Sequence, residues 1–279
     1  MQNMHNFMPH QKQNPKTKPI LRRRECLGLL ALALAVRPSW ADQPMLRVAA
    51  ASDLKFVLAQ LLETFQKETG LRVEASYGSS GNFARQIRQG LPVHLFMSAD
   101  ESWVLQLAEA GLTRRLPDGM ADRGVVYGQG RIALIVPANS TLQLDPELKG
   151  LQAGWSRVGK FAIANPEHAP YGRAAQEALE KLGVWSLAKT RLVLGENIAQ
   201  ATQFVTTGAA QAGITAQALA LAPEVARQVR HILLPDSLHQ PMRQRMVLLR
   251  GAPTGAGRLY DYLQTPAARA VFRRYGFAV

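Results

Sequence analysis

The chain passes repeatedly from a short apolar run that reads as a buried strand to a run with helical spacing, and this alternation confines it to α/β architectures. Met45–Ala51 is a compact apolar stretch; Leu54, Val57, Leu58, Leu61 and Phe65 follow at helix spacing, and Gly70 supplies a stop. Leu71, Val73, Ala75 and Tyr77 then alternate as a strand should. A helix from Asn82 to about Gln89, a strand over Val93–Ser98 and a helix from Asp100 to Ala110 follow, which predicts a mostly parallel sheet with helices on both faces.

A second region begins near a strand at Gly130–Pro137 and continues with strand Phe161–Ala164, helix Pro170–Leu182, strand Arg191–Leu194, helix Ile198–Thr207 and strand Ala212–Thr215. His231–Leu234 and Met246–Leu249 read as strands returning toward the first region, and the tail as helices Gly255–Gln264 and Pro266–Tyr275. A chain that enters a second lobe and comes back makes two crossings and leaves a cleft. On this reading residues 42–128 and 240–279 form lobe 1, and residues 129–239 form lobe 2.

The first 41 residues stand apart. A basic stretch with Arg22-Arg23-Arg24 precedes ten apolar residues, Leu27 to Val36, and the small-x-small pattern Ser39-Trp40-Ala41 suits cleavage before Asp42. Basic region, short apolar region and cleavage site define a secretory signal. The apolar stretch is well short of the roughly 20 residues that span a bilayer. The arginines also loosely resemble a twin-arginine export signal. Export bears on charge: the chain has Lys+Arg 33 and Asp+Glu 20, of which residues 1–41 hold seven and one. The rest keeps 26 and 19, a net of about +7, scattered rather than clustered. That suits collection of anions more than nucleic-acid binding. The single cysteine, Cys26, leaves with the signal, so no disulfide is expected.

Four segments sit where a strand gives way to a helix: Ala49-Ala50-Ala51-Ser52-Asp53-Leu54, Tyr77-Gly78-Ser79-Ser80-Gly81-Asn82, Asn165-Pro166-Glu167-His168-Ala169-Pro170-Tyr171-Gly172 and Gly195-Glu196-Asn197-Ile198-Ala199-Gln200. Helix N-termini carry unpaired N–H donors and a partial positive charge, so several converging on one point bind an anion without any basic side chain. In open α/β sheets ligands gather at such strand-to-helix turns. Two turns fall in each lobe, so an anion gripped from both sides would hold the lobes shut. Each turn alone has an ordinary use: Ser52-Asp53 or Asn197 as an N-cap, Gly78–Gly81 as a plain turn, Tyr171 as packing.

The pattern of these residues also resembles a known family. Beyond the four turns, Gln86-Ile87-Arg88-Gln89-Gly90-Leu91-Pro92, Leu95-Phe96-Met97-Ser98-Ala99-Asp100, Gly208-Ala209-Ala210-Gln211-Ala212-Gly213 and Thr265-Pro266-Ala267-Ala268-Arg269-Ala270 resemble the molybdate-binding proteins of ABC transporters, the ModA family, over residues 45–279. The resemblance implies a type II periplasmic-binding-protein fold: two mixed-sheet lobes joined by a two-crossing hinge, with the ligand cleft between. It implies an exported, periplasmic, monomeric receptor that binds molybdate or tungstate, needs no cofactor, and hands its cargo to a membrane permease driven by a cytoplasmic ATPase. Carried over by position, the contacts are Ser52 and Ser80 (hydroxyl and N–H), Tyr171 (hydroxyl or N–H), Ile198 (N–H) and Asp53 (N–H only). All of them touch oxygens of the oxyanion, never the metal atom. The Asp53 carboxylate should point away and cap its helix, because it would repel a dianion.

Other readings separate from this one chemically. If Asp53 faced the ligand it would accept a proton from monohydrogen phosphate, making a phosphate or sulfate receptor the alternative. A serine hydrolase would need Ser52 or Ser80 with His168, yet the glycines do not flank either serine as in a nucleophile elbow. His94, His231 and His239 show no metal-ligand spacing. A transcription-factor effector domain shares the lobed architecture, but an export signal and the lack of a DNA-reading helix pair oppose it.

Overall fold

The computed structural model describes residues 45–279; the secretory signal expected over residues 1–41 lies outside them. Two five-stranded mixed sheets carry the fold. The first is built from β1 (Leu46–Ala51), β2 (Val73–Gly78), β3 (Leu95–Ser98), β4 (Val125–Gly130) and β10 (Met242–Leu248), in the order β2-β1-β3-β10-β4. β1 pairs in parallel with β2 and β3, whereas β10 runs antiparallel to β3 and β4. The second contains β5 (Ile132–Pro137), β6 (Phe161–Ala164), β7 (Leu192–Gly195), β8 (Ala212–Ala216) and β9 (Val229–Leu233), in the order β7-β6-β8-β5-β9.

Strands such as β1 and β5 are largely apolar because helices cover both of their faces. Along β1, Leu46, Val48 and Ala50 join one core with Leu54, Leu58, Phe65, Leu259 and Phe272, while Ala49 joins Phe83, Ile87, Phe96 and Leu107 on the other face. β5 divides the same way, with Ile132, Leu134 and Val136 on one side and Ile135 on the other. This two-residue alternation lets one strand hold two helical layers in place. Each fully buried Leu or Phe contributes roughly 1.5–3 kcal/mol.

The helices that position the turns are α1 (Lys55–Thr69), preceded by a 3₁₀ turn at Ser52–Leu54, α2 (Ser80–Arg88), α3 (Glu101–Glu109), α4 (Lys149–Ala153), α5 (Pro170–Lys181), α6 (Trp185–Lys189) and α7 (Ile198–Thr206). Two short helices follow β8, namely α8 (Gln217–Ala220) and α9 (Pro223–Ala226), and the tail forms α10 (Thr254–Tyr262) and α11 (Pro266–Arg274).

Three sequence expectations change. α2 starts at Ser80 rather than Asn82, because the Ser79 hydroxyl accepts the Asn82 N–H at 3.4 Å and caps the helix two residues early. The stretch expected to be one strand from Gly130 is two: β4 ends at Gly130 in the first sheet and β5 starts at Ile132 in the second, with Arg131 between. The run at His231–Leu234 does not return to the first sheet, since β9 pairs antiparallel with β5 and only β10 goes back. The Met242–Gly130 pair carries the first sheet two residues past position 128. The chain thus crosses between sheets at Arg131 and again over residues 234–241, and the Arg131 guanidinium meets the Asp236 carboxylate through two bonds of 3.1 Å.

Candidate functional site

Each of the four turns follows the C-terminal end of a parallel strand. Ala51 of β1 lies beside Gly78 of β2, and Ala164 of β6 lies beside Gly195 of β7. Sheet register therefore brings the turns together in pairs, and closure of the lobes brings the pairs together. A small cavity between the sheets is lined by Ser52, Asp53, Ser80, Tyr171 and Ile198, that is, by all five residues singled out from the sequence. Ser79, Ala99 and Pro170 complete much of its wall.

The donors arise from helix geometry. Ser80 and Ile198 are the first residues of α2 and α7, Tyr171 is the second of α5, and Ser52 opens the 3₁₀ turn. N–H groups in a first turn have no intrahelical acceptor. Pro170 sits at the first position of α5, where its missing donor costs nothing and its fixed φ favours the helix. Asn197 caps α7 by accepting the Gln200 N–H at 3.1 Å. The two serine hydroxyls are oriented by amides: Ser52 Oγ accepts the Ala199 N–H at 3.2 Å, and Ser80 Oγ accepts the Ala99 N–H at 3.0 Å. A hydroxyl that already accepts keeps its own proton to donate. No lysine, arginine or histidine lines the cavity.

Asp53 and Tyr171 depart from expectation. The Asp53 carboxylate caps no helix. It is 1% exposed, and its Oδ2 accepts from the Tyr171 hydroxyl at 3.0 Å and from Gln244 Nε2 at 2.8 Å. The Tyr171 hydroxyl is therefore occupied, also accepting from Gln244 Nε2 at 3.0 Å, so only its backbone N–H is left for a ligand. Tyr127 extends the chain of bonds by donating to Gln244 Oε1 at 2.7 Å. Burial raises the Asp53 carboxyl to about 6, partly offset by the bonds from Gln244 and Tyr171. Burial, reinforced by the nearby Asp53 charge, holds both tyrosines well above 10 and hence neutral.

Sequence reasoning missed Gln244 and Tyr127. Gln244 is wholly buried in β10 and alternates with the buried Met242, Met246 and Leu248. That two-residue period was the available signal, and the flanking Arg243 and Arg245 concealed it.

Bonds between the lobes continue outside the cavity. Ser79 Oγ donates to the His168 carbonyl at 2.8 Å, and the Gly81 N–H reaches the same oxygen at 3.1 Å. Asn82 bonds to Glu196, and Arg173 pairs with Asp100. His168 Nδ1 lies 2.9 Å from Ser79, neither of the serines considered for a hydrolase, and its Nε2 is 3.6 Å from the exposed Glu196 carboxylate. Ser79 is a helix cap bonded across the cleft, so this cluster acts as a clasp. Among the described residues no group of three or more His, Cys, Asp or Glu is placed to hold a metal ion, and no helix is long and apolar enough to cross a membrane.

Known proteins place this geometry in context. Residues 46–278 match the family model described as bacterial extracellular solute-binding protein. The molybdate-binding protein ModA of Escherichia coli (strain K12) is 30% identical over 254 residues, covering 89% of this chain and 95% of that protein. ModA of Rhodobacter capsulatus is 32% identical over 255 residues, covering 90% and 95%. The solved periplasmic molybdate-binding protein of Azotobacter vinelandii superimposes with a TM-score of 0.74 at 29% identity, covering 84% of this chain and 99% of that one. Sheet order, cleft and sequence thus agree, and the chain belongs to the ModA family of bacterial extracellular solute-binding proteins.

Proposed function

We propose that the protein is a periplasmic receptor that captures molybdate or tungstate between its lobes and delivers it to an ABC importer made of a permease and an ATPase. The observation that carries this reading is the single cavity lined by Ser52, Asp53, Ser80, Tyr171 and Ile198, where four helical N-termini meet without a basic side chain. The ModA names of the relatives support the choice of anion. Molybdate and tungstate are fully deprotonated near neutral pH, so every oxygen accepts, and amides with hydroxyls satisfy them. The proposed contacts are the hydroxyl and N–H of Ser52 and Ser80 and the N–H groups of Asp53, Tyr171 and Ile198. Each charge-assisted bond contributes about 1.5–3 kcal/mol. Several together exceed the ~8 kcal/mol of micromolar binding even after ordering costs. The cycle needs no catalysis, no cofactor and only one copy of the chain, with residues 42–128 and 240–279 as one lobe and 129–239 as the other. Cleavage of the export signal near Ala41 would release it into the periplasm.

A melting-temperature screen with molybdate, tungstate, sulfate, phosphate and chromate tests the reading. A ligand at 1,000 times its Kd adds about 4 kcal/mol. For a chain of this size that raises Tm by roughly 8–16 °C. Molybdate and tungstate should give shifts of this order, and sulfate, the smaller tetrahedron, much less. One observation favours a second reading: Asp53 lines the cavity and its Oδ1 is buried with no hydrogen-bond partner, which leaves that oxygen free to accept from monohydrogen phosphate. A phosphate shift above that of molybdate would select that alternative.

A further inference from the structure

Asp53 is the one acidic residue lining a cavity that has no basic side chain. Its two oxygens differ. Oδ2 is saturated by Tyr171 and Gln244, whereas Oδ1 is shielded from solvent and forms no hydrogen bond. The Asp53 and Leu54 amides favour the ionised form electrostatically, but neither completes a bond to Oδ1. An unpaired buried carboxylate oxygen is costly, and a dianion beside it makes matters worse. A proton on Oδ1 removes both problems, because the acid then donates to an oxygen of the guest.

We propose that the Asp53 side chain is itself a ligand-binding group, protonated at Oδ1 in the loaded site and donating to the dianion, so that capture takes up one proton from water. The inference rests on the dianion reading above and deepens it. The balance is simple: the free protein holds an ionised carboxylate above about pH 6, and the complex holds the acid. A protonated anion such as monohydrogen phosphate brings this proton with it, so the site accommodates either kind of guest with one hydrogen between Asp53 and the ligand.

Few other groups compete for the role. Among the elements packed on the 3₁₀ turn, α7 and α8 contain no ionisable side chain. α1 contributes the exposed Lys55 next to the turn, and β2 contributes exposed Glu74 and Tyr77, whose phenol burial pushes up to about 12. From β4 and α5 come Tyr127 and Tyr171, both neutral. None of the ion pairs among the described residues involves Asp53.

Calorimetric titration with sodium molybdate at pH 7.5, in Tris and in MOPS, measures the proton count from the difference in buffer ionisation heat. The expected uptake is close to one, with Kd weakening up to tenfold per pH unit between about pH 6 and 8. Asp53→Asn mimics the protonated acid, its amide nitrogen facing the anion. It should bind at least as tightly at pH 8, with no uptake and a flat pH profile. Molybdate binding with zero uptake and a flat wild-type profile would overturn the inference while leaving the receptor reading intact, whether or not the variant folds. Unchanged uptake in a folded Asp53→Asn protein would overturn it equally. Failure of molybdate to bind at all would remove both readings.

Discussion

Replacing Ile198 with proline should weaken molybdate binding roughly 10- to 150-fold, the equivalent of one charge-assisted hydrogen bond. Proline is well suited to the first position of a helix, where its missing donor leaves no intrahelical bond broken. Asn197 before it already has φ −150° and ψ 174°, an extended conformation that a following proline requires. The substitution therefore deletes the N–H that the proposed function assigns to the ligand, with little change to the backbone. It also exchanges a buried side chain, Ile198 being 3% exposed. Ile198→Val isolates that effect, since it keeps the N–H and costs only about 0.5–1.5 kcal/mol of stability. Calorimetry should find the valine variant close to wild type and the proline variant far weaker. Equal affinities would mean that this amide does not touch the ligand.

Gly81→Ala should impair binding without touching the ligand. A Cβ at Gly81 would lie 2.7 Å from the His168 carbonyl oxygen and 3.0 Å from the Trp103 ring. The His168 carbonyl belongs to the opposite lobe, and a backbone atom cannot swing aside as the end of a side chain can. Separated lobes relieve the His168 contact, the tighter of the two and the one made to backbone, so the larger part of the penalty falls on the shut state; the Trp103 contact lies within one lobe and persists. Overpacking of this kind costs about 1–3 kcal/mol. Because a ligand binds the shut state preferentially, the loss appears directly in affinity, as a roughly 5- to 150-fold rise in Kd. The melting temperature without ligand should fall only slightly, through the Trp103 contact. A large drop in that temperature, with affinity unchanged, would show that Gly81 serves the folding of its own lobe instead.

Much of the architecture was legible because most of the parallel strands are short and largely apolar and end at, or run directly into, Gly, Ser or Asn. The Gly78–Gly81 run, Ala169-Pro170 and Asn197 each announce a helix start by the chemistry of capping, and all three mark one. β4 was invisible for the opposite reason: Gly128 and Gly130 interrupt its apolar pattern, and Arg131 beyond them passed for part of the next strand. The placement of β9 could not be read locally either, since the same apolar run satisfies either sheet and only its pairing with β5 decides. At the site, the backbone donors could be anticipated from helix starts. The side-chain network could not, because Gln244 meets Asp53 across 191 positions of sequence, a distance no local pattern spans. The capping role expected of Asp53 does not appear, because its carboxylate is taken by Tyr171 and Gln244, both remote in sequence.

The pairing of Arg131 with Asp236 joins the two strands that cross between the lobes. At this exposure such a pair adds little to stability, but it ties the two connectors to each other, so that on the proposed function they would turn together about a common pivot. One half of the molecule can then swing like a door on paired pins and has little freedom to slide sideways. On the proposed function, opening that door would part the serine turns from the Tyr171 and Ile198 turns, leaving the cargo half its handholds at the moment of release.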